Sequence, residues 1–363
     1  MSDYRREQEV AIEAVRRASL ITQKVLQTSI SSLTKSDKSP VTVGDFSAQA
    51  IINQILTKHF PNDKIVGEED ADDLRSKDAD KVALKEKVIG LVNEGLTAEG
   101  VDKLEKPLSE DEILEAIDKG NCQGGIKGRM WTLDPIDGTK GFLRGGQYAV
   151  CLALIVDGEV RLGVMGCPNL PIDKTSKKPQ EGNLDEVKQR DDLGVIFVAS
   201  EGKGAFQRPL HATSSIELTP IETRDITPDT LSKASFCESV EAGHSSQGTN
   251  AKIAEFLGIS SPSVRMDSQA KYASVARGDG DIYLRLPVGD GSYQEKIWDH
   301  AAGCLIVTEA GGKVSDAKGR PLDFSIGRTL KNNKGVVAAH ASVHAKVIEA
   351  VRKALEEEGR GHL

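Results

Sequence analysis

Residues 129–139 read Arg-Met-Trp-Thr-Leu-Asp-Pro-Ile-Asp-Gly-Thr, and the segment Asp134-Pro135-Ile136-Asp137-Gly138-Thr139 within them decides how the chain is understood. Trp131 and Leu133 make the approach a core strand. Pro135 stops that strand and forces Asp134 into extended backbone. Two carboxylates three residues apart therefore flank a sharp turn at a strand end. The turn leads into a glycine and a threonine whose N–H groups suit an anion. A hard cation and a phosphate can be held together by such an arrangement. The plainer alternative, an ordinary acidic connection, fits poorly, because core strands seldom end in paired acids.

Around this turn the chain alternates strands and helices. Upstream, Val10, Ala14, Ala18, Ile21 and Val25 recur at helical spacing, and after a loop at Ser36–Gly44 a second helix is marked by Ala48, Ile51, Ile52, Ile55 and Leu56. Lys64–Glu68 reads as a short strand. Residues 70–128 are charge-rich, with a helix near Lys81–Leu96 and a capping-box pattern at Ser109 and Glu112. They form an insertion that either packs on the rim of a site or decorates the surface.

Downstream, Tyr148–Val156 is a buried strand closed by an Asp157-Gly158 hairpin turn, and Val160–Met165 returns. Asp173–Asp192 is a polar excursion read as loop, and Val195–Ser200 pairs with Gly204–Arg208. Beyond about Ser214, strands and helices alternate: Gln269–Arg277 and Ile297–Ala310 are helices, the latter closed by Gly311-Gly312. The expectation is an α/β protein in two parts. Residues 1–213 would form an α+β part with the insertion at about 70–128, and 214–363 a layered α/β part.

Composition removes several functions. The 363 residues carry 47 basic against 55 acidic side chains, a net charge of −8, which argues against a nucleic-acid duplex as partner. The longest apolar run, Tyr148–Val156, is too short to span a membrane. The charged N-terminus shows no signal peptide. Five scattered cysteines with no C-x-x-C pair fit free thiols in a reducing compartment and no zinc site. The expected setting is the cytoplasm. No G-x-x-x-x-G-K-[ST] loop or G-x-S-x-G elbow occurs, the paired acids are not in D-x-D spacing, and Gly278–Asp281 lacks the rest of an EF-hand.

Three other acidic positions can join Asp134 and Asp137. They are Glu68-Glu69 at a strand end, Asp45 at a helix start, and Asp299 in Trp298-Asp299-His300-Ala301-Ala302-Gly303. Helix capping is the plainer role for Asp45 and Asp299 taken singly. Together these acids lack a matching set of His or Cys ligands, and oxygen-only ligation favours Mg2+ or Mn2+ over zinc. His300, beside Asp299, reads as a core residue.

Gly44-Asp45, Gly67-Glu68-Glu69, Asp134–Thr139 and Trp298–Gly303 resemble, in order and across nearly the whole chain, the four signature segments of the lithium-sensitive inositol monophosphatase superfamily. Within it, Thr139–Gly145, His244-Ser245-Ser246, Asp267–Tyr272 and Asp281–Pro287 are similar to the branch that removes the 3′-phosphate from adenosine 3′,5′-bisphosphate. The resemblance implies a layered αβαβα sandwich. It implies metal ligation by Glu68, Asp134, Asp137, Asp299 and the carbonyl of Ile136. Asp45 and Thr139 would position and deprotonate the attacking water, while the N–H groups of Gly138 and Thr139 hold the phosphate. His244, Ser268, Lys271 and Arg285 would contact the nucleotide, with Asp299 also against the substrate. Without the resemblance, Lys271 and Arg285 read as solvated charges.

The resemblance further implies about two or three Mg2+ ions, with Mn2+ as a substitute, and inhibition by Li+ and Na+. The substrates would be adenosine 3′,5′-bisphosphate and its sulfated form, the enzyme a monomer, and its role sulfur assimilation and salt tolerance. The alternative is a phosphatase of inositol monophosphate or inositol 1,4-bisphosphate; a more distant one is a nucleotide-binding regulator without catalysis. Asp173–Asp192 match nothing in the family pattern.

Overall fold

The computed structural model describes residues 3–29, 39–98, 100, 102–179, 183–212, 218–240 and 247–362. The first layer is helical: α1 (Arg5–Ser29), α2 (Ser39–His59), α3 (Ala79–Thr97) and α4 (Glu110–Asp118). It lies on a seven-stranded sheet made of β1 (Lys64–Gly67), β2 (Arg129–Asp137), β3 (Ala149–Val156), β4 (Glu159–Pro171), β5 (Leu193–Ser200), β6 (Ala205–Pro209) and β7 (Thr219–Ile221), in that spatial order. Among the described residues of this sheet, only β1 and β2 pair in parallel. The short helices α5 (Thr139–Leu143) and α6 (Leu184–Gln189) lie in connections; the second falls inside the stretch read as loop from the sequence.

The second half supplies the remaining layers. They are α7 (Gln247–Leu257), α8 (Ala270–Arg277), α9 (Ala301–Glu309) and α10 (Ala341–Glu357), with β8 (Phe236–Glu238), β9 (Val264–Arg265), β10 (Ile282–Arg285), β11 (Gly312–Ser315) and β12 (Val336–His340). These strands form a five-stranded sheet ordered β11-β12-β10-β8-β9. Helices α8 and α9 fill the space between the sheets, and α7 and α10 cover the outer face, giving an αβαβα sandwich. The first sheet continues past residue 213 to Ile221, so the change of sheet falls between Ile221 and Phe236.

Strand periodicity explains the layering. In β3, Val150, Leu152 and Leu154 face the α1–α2 layer, while Cys151, Ala153 and Ile155 face α8 and α9. Both faces are therefore apolar, as a strand covered on both sides requires. Each fully buried Leu or Ile contributes about 1.5–3 kcal/mol. The middle core is shared: Phe197 of the first sheet and Val336 and Ala338 of the second belong to one cluster with Ile306. Gly303 sits where α9 crosses α8. A Cβ there would lie 2.3 Å from Cδ2 of Tyr272, so only glycine permits this approach.

Three further sequence expectations change. First, β2 does not stop at Pro135 but runs to Asp137, with irregular pairing to β3 between Asp134 and Asp137. That irregularity accommodates a proline that has no N–H to donate. Second, Asp45 is not at a helix start: α2 begins at Ser39, which places Asp45 inside it and removes capping as its role. Third, the helix expected at Ile297–Ala310 is broken. A 3₁₀ turn spans Ile297–Asp299, His300 leaves helical geometry at φ −136°, and α9 starts at Ala301. The insertion packs through α3 and α4 against α2, and its end at Gly120–Cys122 joins the free edge of β1 through backbone hydrogen bonds. The capping box at Ser109 and Glu112 is present at the start of α4.

Candidate active site

A cavity of about 410 Å³ opens where the end of β2, the turn before α8, β10 and the 3₁₀ turn at Asp299 converge. Glu68, Asp134, Ile136, Asp137, Gly138, Thr139, Ser268, Lys271, Arg285 and Asp299 line it. Every site residue expected from the sequence lies in this lining except two. Asp45 is buried and does not line the cavity, but lies within electrostatic reach of Glu68, Glu69 and Asp134. His244 falls outside the described residues.

The backbone at the end of β2 explains the placement. Asp134 Oδ1 accepts the Ile136 N–H at 3.1 Å, which braces the irregular end of β2 around Pro135. Gly138 then adopts φ 92° and caps α5; a Cβ here would lie 2.7 Å from the Ser268 Cβ. Opposite, Ser268 holds φ 68°, a conformation that costs a non-glycine residue and that its surroundings impose. The next N–H, from Gln269, donates to the Asp137 carboxylate. The acidic strand end and the N-terminal end of α8 are thus joined directly.

Carboxylate oxygens of Asp134, Asp137 and Asp299 all lie within 4.8 Å of one another. Burial raises the pKa of Asp134 well above the ordinary carboxylate value, and the charges of Glu68, Asp137, Asp299 and Asp45 add to it. Asp299 is raised by burial and then by Asp137 and Glu68. In Asp137 burial again dominates, opposed by Lys271 and the Gln269 N–H. Asp45 is raised by burial and by Glu69 and Glu68, and Glu69 is pushed up to about 7 by burial and neighbouring acids. Such crowding is unfavourable for the protein alone and suits a hard divalent cation, since all donors are oxygen.

These shifts carry a sign. A carboxyl with a raised native pKa holds its proton more tightly folded than unfolded. Its stabilisation is complete below the ordinary carboxylate range and is lost as pH rises through the native value. The metal-free protein should therefore lose thermal stability as pH rises from the ordinary carboxylate range through the Glu69 value of about 7, and Mg2+ should raise Tm more at pH 8 than at pH 5.5. Thermal scans at both pH values with and without Mg2+ test this. An equal Mg2+ shift at both would mean that the cluster is not where the ion binds.

The same lining carries cations held in fixed settings. Lys271 is only 4% exposed, with Nζ 3.4 Å from the Met266 carbonyl and 5.3 Å from the Tyr283 ring centroid. Burial lowers its pKa to about 8, against the pull of Asp137 and Asp267, so it stays mainly charged at neutral pH. Arg285 Nε donates to Glu295 at 3.0 Å. Burial opposes the Arg285 charge, but Glu295 outweighs it and the pKa rises. Burial likewise acts against the Glu295 charge, yet the His300 hydrogen bond and Arg285 hold its pKa down to about 2. His300 in turn lies 3.2 Å from Glu295 and 2.8 Å from the Tyr272 hydroxyl, in the buried setting expected of it. Neither Lys271 nor Arg285 is a solvated charge.

Several supporting residues carry no sequence signal. Gln49 of α2 donates to the carbonyls of Glu69 (2.6 Å) and Ile117 (2.9 Å) and accepts the Glu69 N–H, fastening the acidic end of β1 to the insertion. Gln269 bridges the Trp298 carbonyl and the Gly303 N–H. Glu295 orients Arg285. A hint existed only for His300, beside Asp299.

A model of the inositol monophosphatase family matches residues 3–356. The chain is 53% identical over 355 residues to a protein from Emericella nidulans named 3′(2′),5′-bisphosphate nucleotidase, covering 97% of this chain and 99% of that one. A protein of the same name from Schizosaccharomyces pombe is 51% identical, with 95% and 94% covered. Among solved structures, Mycobacterium tuberculosis SuhB superposes with TM-score 0.58 at 19% identity over 98% of each chain. An inositol monophosphatase from Anabaena gives 0.57 at 19% identity over 97% of each, and these two likenesses concern the fold alone. A chain with this sandwich, this acidic strand end and a family match over almost its full length belongs to the inositol monophosphatase family.

Proposed function

We propose that the protein is a Mg2+-dependent phosphatase that removes the 3′-phosphate of adenosine 3′,5′-bisphosphate to give AMP, and the same phosphate of its 5′-phosphosulfate analogue. The observation that carries this reading is that one cavity is lined both by the carboxylates Glu68, Asp134, Asp137 and Asp299 and by the cations Lys271 and Arg285. A monophosphate needs only the first. A substrate with two anionic ends uses both, and relatives more than half identical over nearly the whole chain are named for such a substrate.

In this reading Glu68, Asp134, Asp137, Asp299 and the Ile136 carbonyl hold the ions. Bound Mg2+ supplies charge neutralisation at the cleaved phosphate and makes the attacking water more acidic. Gly138 and Thr139 offer backbone N–H groups to the phosphate oxygens and hold them in line. The Thr139 hydroxyl orients the water, and Asp45, buried outside the cavity lining with its raised pKa, takes its proton. Ser268, Lys271, Arg285 and His244 bind the retained nucleotide end, with Asp299 beside the substrate. We further propose a cytoplasmic monomer acting on free nucleotides in sulfur assimilation and salt tolerance. Among the described residues no helix is long and apolar enough to cross a membrane.

The test is phosphate release from adenosine 3′,5′-bisphosphate, its sulfated form, inositol 1-phosphate and inositol 1,4-bisphosphate. Turnover of the nucleotides should dominate, vanish in excess chelator and return with Mg2+. Li+ should inhibit at concentrations where K+ does not. Preference for the inositol phosphates would replace this reading with the inositol phosphatase one, and full activity in chelator would remove the metal.

Lys271→Ala and Arg285→Ala should each lower kcat/KM for the bisphosphate by about ten- to a hundredfold, mainly through KM. A small phosphomonoester lacking the second anionic end should change little. Equal losses on both substrates would assign these residues to the fold rather than to the nucleotide.

A further inference from the structure

Three segments far apart in sequence meet at Arg328. Its Nη2 donates to the Gly67 carbonyl at 2.5 Å, the last residue of β1 before Glu68. Its Nη1 donates to the carbonyls of Gly120 (3.2 Å) and Cys122 (3.0 Å), where the insertion lines the edge of β1. The guanidinium carbon lies 4.7 Å from the centroid of the Trp298 ring, one residue before Asp299. The backbone around Arg328 joins the same turn. Its own carbonyl accepts the Ile297 N–H at 3.1 Å, and the Leu330 N–H donates to the Glu295 carbonyl at 2.8 Å.

We propose that Arg328 is a positioning residue that fixes the distance between Glu68 and Asp299 and thereby sets the affinity of the site for its divalent cation. Glu68 follows a short edge strand, and Asp299 ends a single 3₁₀ turn. Neither element has length enough to hold a carboxylate against its crowded neighbours. A planar guanidinium with several donors can bridge carbonyls on two segments and lie flat on an indole at once, which an ammonium cannot. Groups that orient metal ligands commonly change metal affinity by about 10–100-fold when removed.

The sign of the effect separates positioning from charge. Arg328 is a cation beside a cation site, so on electrostatics alone its removal should tighten metal binding. Only loss of geometry weakens it. The inference rests on the metal-site reading, and the experiment keeps the two apart.

Mn2+ binding to the intact chain, followed by the electron-spin signal of free Mn2+, and Mg2+ binding by calorimetry are measured for wild type, Arg328→Met, Arg328→Lys and Asp134→Asn. Methionine keeps much of the stem over Trp298 and removes the donors. Lysine keeps the charge and can reach only part of the carbonyl set, and it serves if the methionine variant fails to fold. Expected are a ten- to hundredfold weaker ion affinity in Arg328→Met, a smaller weakening in Arg328→Lys, and an activity loss that shrinks as Mg2+ is raised. Unchanged or tighter ion binding in both variants, with only Tm lowered, overturns the positioning role. Wild type that binds no ion, or Asp134→Asn that binds like wild type, overturns the metal site and the inference with it.

Discussion

Asp134→Asn should cost about three orders of magnitude in kcat/KM and at the same time make the metal-free protein more resistant to heat. The two effects have one origin. Asp134 is 2% exposed and is the acid on which Glu68, Asp137, Asp299 and Asp45 all press. Its charge at neutral pH is unfavourable to the folded chain unless an ion is bound. Asparagine removes that charge and keeps an oxygen for the Ile136 N–H, so the irregular end of β2 survives. The ion loses a ligand, and the several kcal/mol of charge stabilisation it offers the reaction go with it. Thermal scans in chelator at pH 8 and kinetics at saturating Mg2+ test both halves. A variant that is less stable in chelator and also inactive would show that Asp134 supports the fold rather than the ion.

The second large effect is expected at Asp45. Asp45→Asn should lower kcat by about a hundredfold or more with little change in KM, the pattern of a lost proton acceptor. Because Asp45 lies inside α2, the substitution removes no helix cap, which isolates the chemical role. Ion affinity should stay near wild type, in contrast to Asp134→Asn, because Asp45 does not line the cavity. Normal turnover in Asp45→Asn would leave the residue as a buried acid without a catalytic part.

Much of this site can be found without coordinates, and the reason is physical. Asp134, Pro135, Asp137 and Gly138 are close neighbours at the end of β2, where local geometry favours those residue types in that order. Asp299 is marked by its apolar neighbours. The two faces of β3 are legible because alternate side chains must both be apolar when helices cover both sides. What cannot be seen is what acts over distance. Gln49, Gln269 and Arg328 bond mainly to backbone carbonyls, which every residue has, so no partner residue betrays the pairing. The register of α2 is hidden for a different cause: Pro40 and Gly44 look like loop residues, yet α2 begins at Ser39, where proline is tolerated in the first turn. Near Gly44 the helix approaches Ile136 so closely that a Cβ would lie 2.6 Å from Cδ1. His300 breaks the expected long helix because its ring is drawn to Tyr272 and Glu295.

The glycine at the crossing of α8 and α9 has a reach beyond packing. Helix α8 carries Lys271, and the turn leading into α9 carries Asp299, so one cation and one carboxylate of the cavity lining hang from the two helices that touch at Gly303. The separation of Lys271 from Asp299 is therefore tied to a helix-to-helix distance, kept short by the absence of one methyl group at Gly303. Substitution at 303 would act as a spacer. It would change which separation of anionic groups fits, while every residue that touches those groups kept its identity and charge.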